Sequence, residues 1–345
     1  MYVYTQGHSR IKSTGIYLPE ERVTTQTLMR EIDSENRFGV SHDWLQRVTG
    51  IKEKRVTPPN VLPSDMAVTA AKEAMDRAKI TAREIDAIIY TGLTRDYLEP
   101  ATAHIVQAKL GASRAMVFDI SNACHGFMNG IHVMDALIAT GQVHNGLVVT
   151  GEQGSLFTRQ AIDALKNTTE RVQLTALAAN LTVGDAGAAM IIGPKTVPDY
   201  GFKAFMLQSQ GQHAGLCTVG GPLTQGPALT DMPAIMAEGA KLIPKMFHEF
   251  LYKRLRWRVE ELAKCLIHQV GTGALFKIHK LAGVPPSIMP KTVDVLGNLI
   301  TANIPLNIHY CVVEQELRAG DKIYLSGSGS GISLSQAGVI WDAAA

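Results

Sequence analysis

Of the four cysteines in the sequence, Cys124, Cys217, Cys265 and Cys311, one stands where a thiol could act as a nucleophile. No two form a C-x-x-C pair, and their wide spacing suits neither a zinc site nor a small disulfide framework. Each is therefore a small core hydrophobe or a reactive thiol. Cys124 follows a short apolar run at 117–120 and a polar turn, Ser121 and Asn122. Beyond it Phe127, Met128, Ile131, Met134 and Ile138 recur at offsets of 3, 4, 7, 10 and 14, the spacing of a largely buried helix. Cys124 is thereby placed in that helix's first turn. Free backbone N–H groups and the helix dipole there favour a thiolate, and the same N–H groups can hold an oxyanion on an attacked carbonyl. Acyl transfer is the chemistry this permits; a buried filler cysteine is the ordinary alternative.

A nucleophile needs a base. His125 is adjacent, but neighbours on a helix point about 100° apart, so it reads as a pocket wall or a satisfied polar residue. Among eleven histidines, His268 ends an apolar strand and opens a glycine-containing turn, CLIHQVGTG, and α/β proteins place their chemistry at such strand ends. Its plain reading is an ordinary strand-end histidine. Thirty residues on, Asn298 follows a glycine just before an apolar helical stretch, where a cap or turn residue is the simpler account. The tail YLSGSGSGISLSQAGVIW ends a strand in a glycine-rich turn that would let backbone approach a substrate closely.

These residues need a scaffold. Strand-like runs at 85–90, 115–120, 146–150, 188–192, 265–268 and 323–326 alternate with helical patterns at 64–78, 101–110 and 232–255. Strands separated by helices imply α/β layers. A turn-rich stretch at 193–201 divides the chain into residues 1–193, carrying the cysteine, and 194–345, carrying the histidine and asparagine. The two halves suggest a structural duplication.

At 345 residues the chain can bury a large core, and 46% hydrophobic with 19% charged residues describes a folded globular protein. A net charge of +2 argues against a general nucleic-acid binder. No apolar run reaches the roughly 18 residues needed to span a bilayer. The N-terminal residues lack the pattern of a signal peptide, so a cytoplasmic location is expected. One basic stretch, Lys245, Lys253, Arg254, Arg256 and Arg258, reads either as a solvated helix face or as a docking surface for an acidic carrier protein or nucleotide phosphate.

Taken together, the segments resemble the ketosynthase III branch of the thiolase superfamily. NACHGFMNG at 122–130 matches the family's reactive-cysteine segment, IHQ at 267–269 its histidine segment, and GN at 297–298 with ANIP at 302–305 its asparagine segment. DWLQRVTGIKEKR at 43–55, VGDAGAAM at 183–190 and GSGSG at 327–331 follow in the family's order. Within that branch, TRDYLEPATA at 94–103 resembles the OleA-type enzymes, which condense two fatty acyl-CoA molecules head to head.

The resemblance implies a thiolase fold, a duplicated five-layer α-β-α-β-α architecture, in a homodimer. It implies catalytic roles for Cys124, His268 and Asn298, and for Glu99 as a base reaching the partner subunit's active site. Backbone N–H groups of Cys124 and Ser330 would form the oxyanion hole. Acyl-CoA, or acyl groups on a carrier protein, would be substrates; no cofactor or metal is called for. Two departures stand out. The family's arginine after the CoA-contacting tryptophan falls at Val48, with Arg47 one place earlier, so Trp44 and Arg47 match the CoA channel only loosely. The usual triple-glycine closing turn reads Gly329-Ser330-Gly331.

The expected reaction is a ping-pong Claisen condensation through an acyl-Cys124 intermediate. Glu99 favours proton abstraction from a plain acyl or β-ketoacyl thioester over loss of carbon dioxide from a malonyl unit, which needs no carboxylate base. The product would be a β-ketoacyl thioester or β-keto acid, or a pyrone formed from two β-ketoacyl units. The alternatives are a decarboxylating synthase using a malonyl carrier protein and an acyltransferase to an alcohol or amine.

Overall fold

Apolar runs bounded by turn residues become two five-stranded sheets in the computed structural model, which describes residues 2–220 and 227–342. The first sheet runs, edge to edge, Ser9–Tyr17, Asp185–Pro194, Gly146–Gln153, Ala87–Tyr90 and Met116–Asp119. Its last three strands are parallel and its first two antiparallel. The second runs Val3–Gln6, Gly201–His213, Gly331–Ile340, Lys322–Gly329 and Leu262–Ile267, with only the last pair parallel. Its edge strand therefore comes from the far N terminus.

Two helices fill the space between the sheets. Gly126–Ala139 and Asn303–Val313 are apolar nearly all round, as a helix covered on both faces must be. Phe127, Ile131 and Met134 of one and Ile304 and Ile308 of the other share one core with Ile89 and Val148 of the first sheet and Leu266 and Leu325 of the second. Outside the first sheet lie Pro63–Ala78 and Thr102–Leu110; outside the second lie Met232–Phe247 and Thr272–Ala282. This is the five-layer thiolase architecture. Pro63–Ala78 sits very close to its sheet: a Cβ on Gly15, Gly151 or Gly187 would come within 2.3 Å of a carbonyl oxygen of Ala70, Pro63 or Met66 respectively. Glycine on the strands and alanine on the helix make that approach possible.

Two elements differ from the sequence reading. The helix expected over 232–255 is α-helical only to Phe247 and continues as π-turns over His248–Arg254. Pro244 lacks the N–H that would close its own bond, loosening the ladder just before the change. The glycine-rich tail is a hairpin, whose second strand, Gly331–Ile340, is buried through 332–339. Its small residues pass against the cysteine turn. Among the described residues, no helix is long and apolar enough to cross a membrane.

Candidate active site

Cys124, His268, Asn298 and Ser330 line one cavity of about 1200 Å³ of empty space, part of it open to solvent. Much of its wall is apolar: Met232, Ile235, Met236 and Ile243 come from one outer helix and Ile278 and Leu281 from the other. Four elements that are remote in sequence thus bring their ends to one place.

Cys124 lies in a 3₁₀ turn, Ala123–His125, directly ahead of the helix Gly126–Ala139 rather than inside it. Ala123 is held at φ 45°, a left-handed conformation that a non-glycine residue keeps only when its surroundings enforce it. They do so here. A Cβ on Gly126 would stand 2.5 Å from the Thr91 carbonyl oxygen, and one on Gly329 2.8 Å from the His125 nitrogen.

The structure corrects the expected ionisation. Burial pushes the Cys124 thiol well up, and the negative charge of Glu152 pushes it further. Desolvation outweighs the favourable end of the helix, so the neutral thiol is the resting form and a base is required.

His268 can serve. It follows the strand Leu262–Ile267, its backbone N–H donating to the Ser326 carbonyl at 3.0 Å, and its ring is buried with neither nitrogen partnered among the described residues. Burial, and then the neighbouring His125, lower it to about 4, so it is uncharged at neutral pH and free to accept a proton. His125 is itself buried and lowered to about 4 by desolvation. Its Nδ1 hydrogen-bonds Asn129 Oδ1 at 2.8 Å, Nε2 has no partner among the described residues, and, against the expectation of a pocket wall, the ring does not line the cavity.

Asn298 is fixed by its backbone and its own oxygen. Its N–H donates to Thr182, its carbonyl accepts from Gly184, and Oδ1 accepts from the Ile300 N–H at 2.9 Å. That orientation leaves the amide NH₂ as its donor to a ligand. Ile300, at φ 53°, is strained like Ala123. Ser330 sits at the hairpin tip, between Gly329 and Gly331.

Glu99 is not brought to this cavity. It stands on an exposed loop whose tip carries Tyr97, 59% exposed, and Leu98, 83% exposed. The loop's base is firm: Asp96 accepts from the Ser64 N–H and hydroxyl at 2.9 and 2.5 Å. Trp44 and Arg47 lie on the helix Trp44–Thr49 and do not line the cavity either. Trp44 packs beside Leu45 and Leu177, and Arg47 is engaged by Asp43 and Ser41. That helix does end near the histidine turn, with Thr272 Oγ1 donating to the Thr49 carbonyl at 3.4 Å. In the basic stretch Lys253 pairs with Glu249 at 2.8 Å, Arg258 with Glu261 at 3.7 Å, and Arg254 lies over the Tyr4 ring. Two of the five basic residues are thus ion-paired and a third lies over an aromatic ring.

Three residues beside the cavity escaped the sequence reading. Cys217 shares the cavity with Cys124; its two-residue strand, Cys217–Thr218, carries no periodic signal. Glu152 and Thr301 lie behind the wall and are bonded to each other. Glu152 did leave a trace, a carboxylate ending the apolar run LVVTGE.

Residues 118–211 match the family described as 3-oxoacyl-[acyl-carrier-protein (ACP)] synthase III, and residues 252–341 match that enzyme's C-terminal family. The acyl-CoA:acyl-CoA alkyltransferase of Xanthomonas campestris pv. campestris is 34% identical, over 89% of this chain and 90% of the relative. The beta-ketoacyl-[acyl-carrier-protein] synthase III 3 of Streptomyces coelicolor is 30% identical over 97% and 98%. Among solved structures, Xanthomonas campestris OleA with bound lauric acid and lauroyl-CoA superposes with a TM-score of 0.91 at 30% identity, covering 98% of this chain and all of that one.

Proposed function

The chain belongs to the 3-oxoacyl-[acyl-carrier-protein] synthase III family of thiolase-fold acyltransferases, and from that premise we propose that it joins two acyl thioesters by a non-decarboxylating Claisen condensation. The observation that carries the reading is one apolar cavity containing a thiol, a neutral imidazole and a carboxamide, in a chain similar over most of its length to acyl-CoA:acyl-CoA alkyltransferases.

In the first half-reaction the Cys124 thiol gives its proton to His268 as sulfur attacks the carbonyl of an acyl-CoA. The N–H groups of Cys124 and Ser330 take the oxyanion, each such donor being worth about 3 kcal/mol in the transition state. The C–S bond to CoA breaks, the leaving thiolate takes the proton back, and acyl-Cys124 remains. In the second, His268 and Asn298 donate to the carbonyl of another acyl thioester. Glu99 of a second subunit removes its α-proton, and the enolate carbon attacks acyl-Cys124. A carbon–carbon bond forms, the Cys124–acyl bond breaks with Cys124 leaving as a thiolate, the proton taken by Glu99 is given up as that thiolate is reprotonated, and a β-ketoacyl thioester results.

The exposed loop 97–99 supports delivery of Glu99 to another subunit, and hence a homodimer; the resemblance supports the same. We place the enzyme in the cytoplasm, with CoA thioesters as its substrates and an acyl carrier protein as a second possible donor. Trp44 and Arg47, on the helix whose end meets the histidine turn, are the candidates for holding the CoA nucleotide.

The test is incubation with lauroyl-CoA and with β-ketoacyl-CoA, following free CoA and product mass. A coupled β-keto acid, its thioester, or the derived pyrone is expected. Malonyl-dependent carbon dioxide release unaffected by Glu99→Gln would establish the decarboxylating reaction instead. Transfer to an alcohol or amine would appear as an ester or amide mass. Absence of any coupled product from all such pairs sinks the proposal.

A further inference from the structure

Glu152 is fully buried at the end of the strand Gly146–Gln153, and none of the roles above uses it. Its hydrogen bonds lead in two directions. Oε1 accepts from the Leu93 N–H at 2.9 Å, and Oε2 accepts from the Thr94 N–H and hydroxyl, both at 3.1 Å. Those donors form the root of the loop that ends at Glu99. Oε1 also accepts from the Thr301 hydroxyl at 2.5 Å and from the Thr301 N–H at 3.4 Å. Thr301 belongs to the turn Ile300–Ala302, and the Ile300 N–H in that turn orients the Asn298 side chain. The Thr150 hydroxyl, two residues earlier on the same strand, meets the Thr301 hydroxyl at 2.7 Å. One strand end therefore fastens both segments.

The chemistry of this carboxylate is unusual for a structural group. Among the described ion pairs none involves Glu152; burial raises its carboxyl above the usual range, and only neutral donors, from Thr301, Leu93 and Thr94, act to lower it. A buried, cation-free carboxylate is costly to keep. A threonine or asparagine could meet some of these donors without the charge. Acceptor oxygens facing both ways are what a carboxylate offers, because it alone accepts on every side. The titratable groups near it are the Cys124 thiol, which feels its charge, and the Tyr90 phenol, which donates to the Gly151 and Thr94 carbonyls at 2.8 and 2.6 Å.

We propose that Glu152 is a positioning residue for the carbon–carbon bond-forming half-reaction: its carboxylate ties the root of the base-bearing loop and the turn that aims Asn298 to a single rigid strand. The inference rests on the function proposed above. It assigns Glu152 to the second half-reaction only, since acylation of Cys124 draws on neither Glu99 nor Asn298. In a dimer it also makes each Asn298 turn and the loop serving the other subunit's site share one anchor.

The test separates the half-reactions in the full-length protein with lauroyl-CoA. The first is read as burst CoA release and acyl-Cys124 mass, the second as coupled product. For Glu152→Gln, acylation is expected to stay within about threefold of the unsubstituted enzyme while condensation falls about 100-fold, the usual cost of an ångström-scale misplacement. Thr301→Val removes one hydroxyl tie, keeps the charge, and should lose about 10-fold in condensation alone. The selective loss of condensation is the readout that a purely structural role would not give. Alkylation of Cys124 by iodoacetamide reports the charge alone: its rise with pH should begin earlier in Glu152→Gln, where the nearby negative charge is gone, and be unchanged in Thr301→Val. Equal loss of both half-reactions, or condensation retained within about twofold, overturns the proposal. If Glu152→Gln does not fold, Thr301→Val and Thr150→Val decide by the same split. If the unsubstituted enzyme acylates Cys124 but yields no coupled product, the proposed function fails and this assignment fails with it. A selective loss in the variants leaves both standing.

Discussion

Cys124 and His268 line one cavity as uncharged groups, because burial penalises a charge on either. The thiol is raised by burial and by Glu152, and the imidazole is lowered to about 4 by burial and by His125. Proton transfer therefore accompanies attack instead of preceding it. Alkylation of Cys124 in the free enzyme should still be accelerating above pH 9, where an ordinary thiol with a pKa of about 8.5 is levelling off. His268→Ala should slow the CoA burst by about 10²–10⁴-fold, the usual worth of a positioned base. The same imidazoles govern acid stability. His125 and His268 titrate near 4 in the folded chain and near 6.5 when exposed, so between those values the unfolded chain holds protons that the folded chain does not. Stability is then unaffected above about pH 6.5 and falls as pH drops towards 4, by on the order of 3 kcal/mol per imidazole. Urea midpoints at pH 7 and pH 4.5 would measure it, and a flat profile would contradict it.

At the scale of elements, strand and helix ends are what gather the site, and this part was legible early. The polar turn before Cys124, the histidine closing CLIH and the glycine before Asn298 each mark an element's end, where local chemistry controls the backbone. What stayed hidden depends on neighbours far away in the chain. Helix-start geometry argued for a thiolate, but burial in the folded chain, and after it the negative charge of Glu152, reverses that preference. That hairpin read as a glycine-rich turn, since the Cβ-free contacts of Gly327 and Gly329 with Met128 and His125 exist only after folding. Glu99 was identified through resemblance; its own chain shows an exposed loop. The closeness of Pro63–Ala78 to its sheet supplies another test. Gly187→Ala would drive a methyl to 2.3 Å from the Met66 carbonyl, and about 1–3 kcal/mol of stability should be lost, seen as a lower denaturation midpoint. Gly111→Ala, where a Cβ meets nothing within 4 Å, strains only its φ of 74° and should cost less.

For the whole molecule, the proposed delivery of Glu99 from an exposed loop to another subunit's cavity predicts that neither subunit is complete alone. Mixing Cys124→Ala with Glu99→Ala subunits under exchange should restore roughly a quarter of full condensation. Random pairing makes half the dimers mixed, and each of these has one intact site. Activity that stays at the level of the parents would place the base within a single chain. The strand Val3–Gln6 carries a different consequence. It pairs with 204–207, about two hundred residues downstream, and closes the edge of the later sheet. On the ribosome Val3–Gln6 must wait, unpaired, until about two hundred further residues have emerged. A fusion partner placed directly ahead of Val3 is therefore joined to a strand that finds its place late, and moving such a tag away from it is the remedy if yield is poor.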